Sequence, residues 1–68
     1  MTIEEEARTL ADQASALGSG GYVGFTVSEN LRGQESQIIE RAKQILPEDR
    51  EHRIEFSYAD GSIQIDRA

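Results

Sequence analysis

Arg53-Ile54-Glu55-Phe56-Ser57-Tyr58-Ala59-Asp60-Gly61-Ser62-Ile63-Gln64-Ile65-Asp66 is two alternating apolar/polar runs joined by Asp-Gly, and it decides the fold. Period-2 alternation on both sides of such a dipeptide predicts a β-hairpin. Asp-Gly suits a two-residue type I′ turn, in which both central residues take positive φ. That turn sets Ala59 opposite Ser62, Tyr58 opposite Ile63, Phe56 opposite Ile65 and Ile54 opposite Arg67. All the large apolar groups then share one face, and a slip of one residue would turn the whole set into water.

Working back from the hairpin, Ile38, Ile39, Ala42, Ile45 and Leu46 recur at helical spacing on a face roughly 120° wide. A helix is expected over about 34–46. Pro47 ends it, because proline restricts Leu46 and cannot continue the backbone ladder. Leu31 extends the stripe backwards, but Gly33 intervenes. Before it, Val23, Phe25 and Val27 alternate with Tyr22, Gly24, Thr26 and Ser28, the pattern of a strand over about 22–28 with one buried face. Gly24 inside this run predicts a bulge or a close backbone approach.

At the start of the chain Thr2 and Glu5 have capping-box spacing, and Glu4, Glu5 and Glu6 suit the positive end of a helix dipole. Ile3, Ala7, Leu10, Ala14 and Leu17 form a seam roughly 80° wide, narrower than the usual globular stripe. This helix is expected over about 3–17, ended by Gly18 in the left-handed conformation. The seam reads first as a helix laid on a sheet and second as a dimer contact centred on Leu10.

The order is therefore α-β-α-β-β. Each strand has a single apolar face, which predicts one α+β domain over residues 1–68. It is a two-layer sandwich, a three-stranded sheet with both helices on one side. The strand over about 62–66 is expected in the middle, because Ser62-Ile63-Gln64-Ile65 lacks Gly, Pro and Lys; the alternative pairs the strands about 22–28 and 52–59 directly.

With 68 residues the chain lies near the lower limit for a single core, and roughly 3–5 kcal/mol of stability is expected for a monomer. The absence of cysteine removes disulfides and thiolate sites and points to a reducing compartment, the cytoplasm. The acidic start is unlike a targeting peptide, and no apolar run approaches membrane-spanning length. Net charge is −6, which repels nucleic-acid phosphates and anionic membranes, so neither is an expected partner. Arg32, Arg41, Lys43, Arg50 and Arg53 are interleaved with Glu35, Glu40, Glu48, Asp49 and Glu51 and read as a solvated ion-pair surface.

Catalytic chemistry finds little support in these residues. Gly18-Ser19-Gly20-Gly21-Tyr22-Val23-Gly24 leaves a helix and enters a strand, whereas phosphate loops run from strand to helix. The single histidine, His52, has no companion nucleophile or ligand set, and Glu48, Asp49 and Glu51 lack the alternate spacing and glycine of a calcium loop. Glu55 and Asp66 face each other in the hairpin register but point outward into water, which suits neither to an acid role. No catalytic, metal or cofactor residue is therefore assigned, and no enzyme is expected.

The open sheet face and the first helix remain as recognition surfaces, with Leu10, Tyr22, Thr26, Arg53, Glu55, Gln64 and Asp66 as candidate contacts. The expected function is a non-catalytic protein-interaction module or small regulator, binding a protein partner or itself. A homo-oligomeric structural subunit is one alternative. The other is an acidic inhibitor that mimics nucleic acid or binds a basic partner.

Overall fold

A computed structural model describes residues 2–47 and 53–68. The elements are α1 (Ile3–Ala16), β1 (Tyr22–Thr26), α2 (Glu35–Ile45), β2 (Ile54–Ala59) and β3 (Ser62–Arg67), with one 3-10 turn, Glu29–Leu31, before α2. The sheet order is β1-β3-β2 and both pairings are antiparallel. The expected fold is thus the observed one, with β3 central and the two helices packed together on one face. His52 and the charged loop Glu48-Asp49-Arg50-Glu51 lie outside the described residues.

The hairpin register is the expected one, with Tyr58 opposite Ile63, Phe56 opposite Ile65 and Ile54 opposite Arg67. The turn itself differs. Gly61 has φ +78°, but among the described residues none other than glycine has positive φ, so Asp60 is not left-handed and the type I′ geometry is absent. Contacts made by the tip explain the difference. Gly61 N–H donates to Glu35 Oε2 at 2.9 Å, Gly61 C=O accepts from Val27 N–H at 3.0 Å, and Asp60 pairs with Arg32 at 2.7 Å. These three tertiary partners outrank the intrinsic twist preference of a free hairpin. A Cβ added at Gly61 would meet Arg32 Nε at 3.1 Å in addition to the strain of positive φ.

At α1 the capping box is complete: Glu5 N–H donates to Thr2 Oγ1 and Thr2 N–H to Glu5 Oε1. The far end departs from expectation. Gly18 is not left-handed; the chain turns out of the helix at Leu17 in an extended conformation, and Gly20 is the residue with positive φ. A side chain serves this end of the helix, since the Arg67 guanidinium donates to the carbonyl of the C-cap residue Leu17, which has no intrahelical partner.

β1 stops at Thr26, short of the expected Ser28, because the Ser28 N–H donates at 2.7 Å to Glu6 Oε1. The anticipated irregularity at Gly24 is absent. Its pairing with Gln64 falls in an unbroken register, and a Cβ built there would meet nothing within 4 Å.

The core joins Ala7, Leu10 and Ala14 of α1 to Ile38, Ile39 and Ala42 of α2 and to Phe25, Ile54, Ile63 and Ile65 of the sheet. The narrow seam of α1 is thereby filled within the chain, its alanines letting α2 approach closely. Two residues expected in the core are not there. Tyr58 has the right strand parity but is 58% exposed, because burial declines along edge strand β2 from Ile54 towards the tip. Ile45, the last residue of α2, lies on the margin of its stripe and is 36% exposed.

Candidate functional site

Opposite the helices the sheet presents three strands of small and polar side chains. From the register, Tyr22, Asp66 and Glu55 form one row across it, Gly24, Gln64 and Ser57 the next, and Thr26, Ser62 and Ala59 the third. Five of the seven candidate contacts belong to these rows: Tyr22, Thr26, Glu55 and Gln64 are exposed and Asp66 is half-buried. Arg53, just ahead of β2, is exposed, and its carbonyl accepts from the Ala68 N–H at 2.9 Å. Leu10 is elsewhere. It is wholly buried between α1, α2 and the sheet, so the reading of Leu10 as a dimer contact is replaced by a core role.

Along the face, the carboxylates of Glu55 and Asp66 lie on directly opposed residues, and the Gln64 amide donates to Asp66 Oδ1 at 3.3 Å. A depression of about 170 Å³ lies over Ser57, Ala59, Ser62 and Gln64 beside Tyr58. Pockets that enclose a drug-sized ligand have roughly 300–1,000 Å³, so this hollow suits a side chain better than a free small molecule. Among the described residues no group of three or more His, Asp or Glu is gathered as a metal site, and no helix is long and apolar enough to cross a membrane.

Among the described residues, both outer strands keep one edge of backbone open. The bonds Arg67 N–H to Gly21 C=O and Val27 N–H to Gly61 C=O bracket the β1–β3 ladder. Antiparallel alternation then directs the N–H and C=O groups of Tyr22, Gly24 and Thr26 away from β3. By the same logic Ala68 N–H to Arg53 C=O leaves those of Ile54, Phe56 and Tyr58 on the outer side of β2. Neither edge carries a proline or lysine, the usual guards of such strands.

Two carboxylates are buried and serve the scaffold, and one of them, Glu35, thereby leaves the solvated ion-pair surface in which its charge pattern placed it. Glu6 is 3% and Glu35 4% exposed. Glu6 holds the Ser28 amide, as above. Glu35 Oε2 accepts from Gly33 N–H and Gly61 N–H, both at 2.9 Å, tying the start of α2 to the hairpin tip. The Gly33 amide, Glu35's own amide and the Gly61 amide together hold its carboxyl below the usual range. Glu4 is likewise lowered, by a two-pronged bond from Arg41 (Nε to Oε2 and Nη2 to Oε1, each 2.8 Å) that clips α1 to α2, and Glu5 by the Thr2 backbone amide. One signal for Glu6 was available: it is a helical neighbour of the seam residues Ile3 and Leu10. Glu35 gave none.

No protein-family model, no curated protein and no solved structure matches the chain.

Proposed function

We propose that this chain is a non-catalytic protein-interaction module, a small cytoplasmic regulator that acts by docking a polypeptide on its uncovered sheet. The observation that carries the reading is the asymmetry of the two layers. One face of the sheet is sealed by both helices, while the other presents an unbroken three-strand surface flanked by two unguarded backbone edges. Such edges accept an added strand through main-chain bonds, and side chains on the adjoining face supply selectivity. The buried acids add support. Glu6 and Glu35 are committed to backbone amides, which leaves them unsuited to proton transfer, and the −6 charge directs the partner away from nucleic acid. No cofactor enters this reading.

The test uses photo-crosslinking residues placed singly at Thr26 and Glu55 on the open face, and at Arg8 and Glu40 on the exposed sides of the helices, in the cell of origin. Polypeptide conjugates from Thr26 or Glu55 and not from Arg8 or Glu40 are expected. Conjugates from the helical positions alone, or from none of the four, would retire the proposal.

A further inference from the structure

We propose that the edge of β1 pairs with the same edge of a second copy, giving a continuous six-stranded antiparallel sheet with a two-fold axis through Gly24. The inference rests on the interaction reading above and identifies the occupant of one of its surfaces.

The strand Tyr22-Val23-Gly24-Phe25-Thr26 is self-complementary about its centre. Antiparallel pairing places Tyr22 opposite Thr26 of the second copy, Val23 opposite Phe25, and Gly24 opposite Gly24. Every non-glycine pair is then an aromatic against a β-branched residue, a combination that sheets favour. The backbone is in phase for it. Because Tyr22, Gly24 and Thr26 already direct their N–H and C=O groups outward, those same residues become the hydrogen-bonded pairs, with no change in β1.

Two open features are answered by this pairing. Tyr22 is 74% exposed, and the space above Gly24 is empty to at least 4 Å from a built Cβ. Gly24 of the second copy lies diagonally across from Tyr22, within reach of its ring, so each tyrosine covers the other copy's glycine.

Charge argues for the second copy at this edge. Two molecules of net charge −6 repel, and their closest approach is least costly where neither carries charge. Residues 13–28 contain no Asp, Glu, Lys or Arg, although 29% of the chain is charged. On the helix beside β1 the uncharged surface is confined to Thr9, Gln13 and Ala16, with exposed Asp12 next to it. Glu6, which reaches the Ser28 amide just past β1, marks the flank of α1 that faces this edge. Thr9, Gln13 and Ala16 follow on that flank at helical spacing. Gln13 Oε1 is buried without a hydrogen-bond partner among the described residues. The two-fold axis, normal to the sheet, sets this flank beside its symmetry mate and adds helix contact to a short strand seam. Five paired residues fall at the small end of stable interfaces, so association depends on concentration.

Sedimentation of the full chain from micromolar to millimolar concentration, with amide hydrogen exchange at each end of the range, tests this. The mass should rise from monomer to dimer while the amides of Tyr22, Gly24 and Thr26 become protected. Gly24→Pro removes an edge donor that β3 does not use, and Ala16→Glu, at an exposed position, adds an acid from each copy to the flank beside the seam. Each should weaken the dimer by about tenfold or more. The exposed change in Ala16→Glu keeps the test decisive if Gly24→Pro fails to fold. A monomer throughout, a dimer protected instead at Ile54, Phe56 and Tyr58, or one indifferent to Ala16→Glu would overturn the inference. A strict monomer that is still crosslinked from Thr26 or Glu55 to another polypeptide would do so while leaving the interaction reading in place.

Discussion

At Glu35 a single carboxylate oxygen joins two segments far apart in sequence, the Gly33 turn and the Gly61 hairpin tip. Its charge strengthens both bonds, since hydrogen bonds to an ionised acceptor are shorter and stronger than neutral ones. The backbone amides lower its folded pKa below the ordinary 4.5, whereas the unfolded chain returns it to that value. A depressed pKa contributes stability that is complete above the unfolded value and is lost as pH falls through the folded one. Glu35→Gln keeps shape and acceptor but removes charge. At neutral pH it should have a lower urea midpoint than the wild type, with a larger loss than the exposed change Glu40→Gln. Below about pH 4.5 the wild type should converge on the Glu35→Gln midpoint, because protonation makes the two side chains alike. Urea titrations at a series of pH values check this, and a gap that stays constant into acid would show that the charge is not what holds the tip.

The elements show which kinds of signal a sequence carries. Periodicity placed α1, β1, α2 and the hairpin within two residues of their observed ends, because burial of one face selects one repeat. Strand order was legible in part, as β3 has none of the glycine, proline or lysine that mark an edge, although β2 lacks them too. What escaped reading was tertiary: the turn geometry at Asp60-Gly61, the cap at Leu17 and the roles of Glu6 and Glu35 all depend on groups 22 or more residues away. The candidate recognition surface was legible only as strand parity, which located the open face but said nothing of Leu10. That residue illustrates the limit, since a narrow apolar seam is the same string whether it meets a partner or the chain's own second helix. Its burial at 0% exposure now allows a quantitative expectation. Leu10→Ala removes buried methyl groups at a cost of about 2–5 kcal/mol. Against a total near 3–5 kcal/mol for a domain of this size, it should leave much of the chain unfolded at room temperature. Circular dichroism with a urea titration measures this, and a variant that folds with an unchanged midpoint would mean that Leu10 is not part of the core.

For the molecule as a whole, the decisive quantity is how its seven cations are deployed among thirteen acids. A local basic patch could still attract nucleic acid in a chain of net charge −6 if Arg32, Arg41, Lys43, Arg50 and Arg53 shared a surface with their acids turned away. The fold separates two of them onto different seams and neutralises both there. Arg32 is bound to Asp60 at the hairpin tip, and Arg41 to Glu4 between the helices. Arg8 stands 3.9 Å from that same Glu4, and Arg67 is turned onto the Leu17 carbonyl. Arg50 lies outside the described residues, and the remaining Lys43 and Arg53 provide too few phosphate contacts for appreciable non-specific affinity. That affinity comes almost wholly from counterions released as several phosphates are neutralised together. Gel-shift titrations with duplex and single-stranded DNA at physiological salt should therefore show no binding in the micromolar range. Lowering the salt should not rescue it, because the long-range field of the chain is repulsive and weaker screening extends its reach. Micromolar binding that falls steeply with added salt would contradict this, and would require Lys43, Arg50 and Arg53 to act together on one surface.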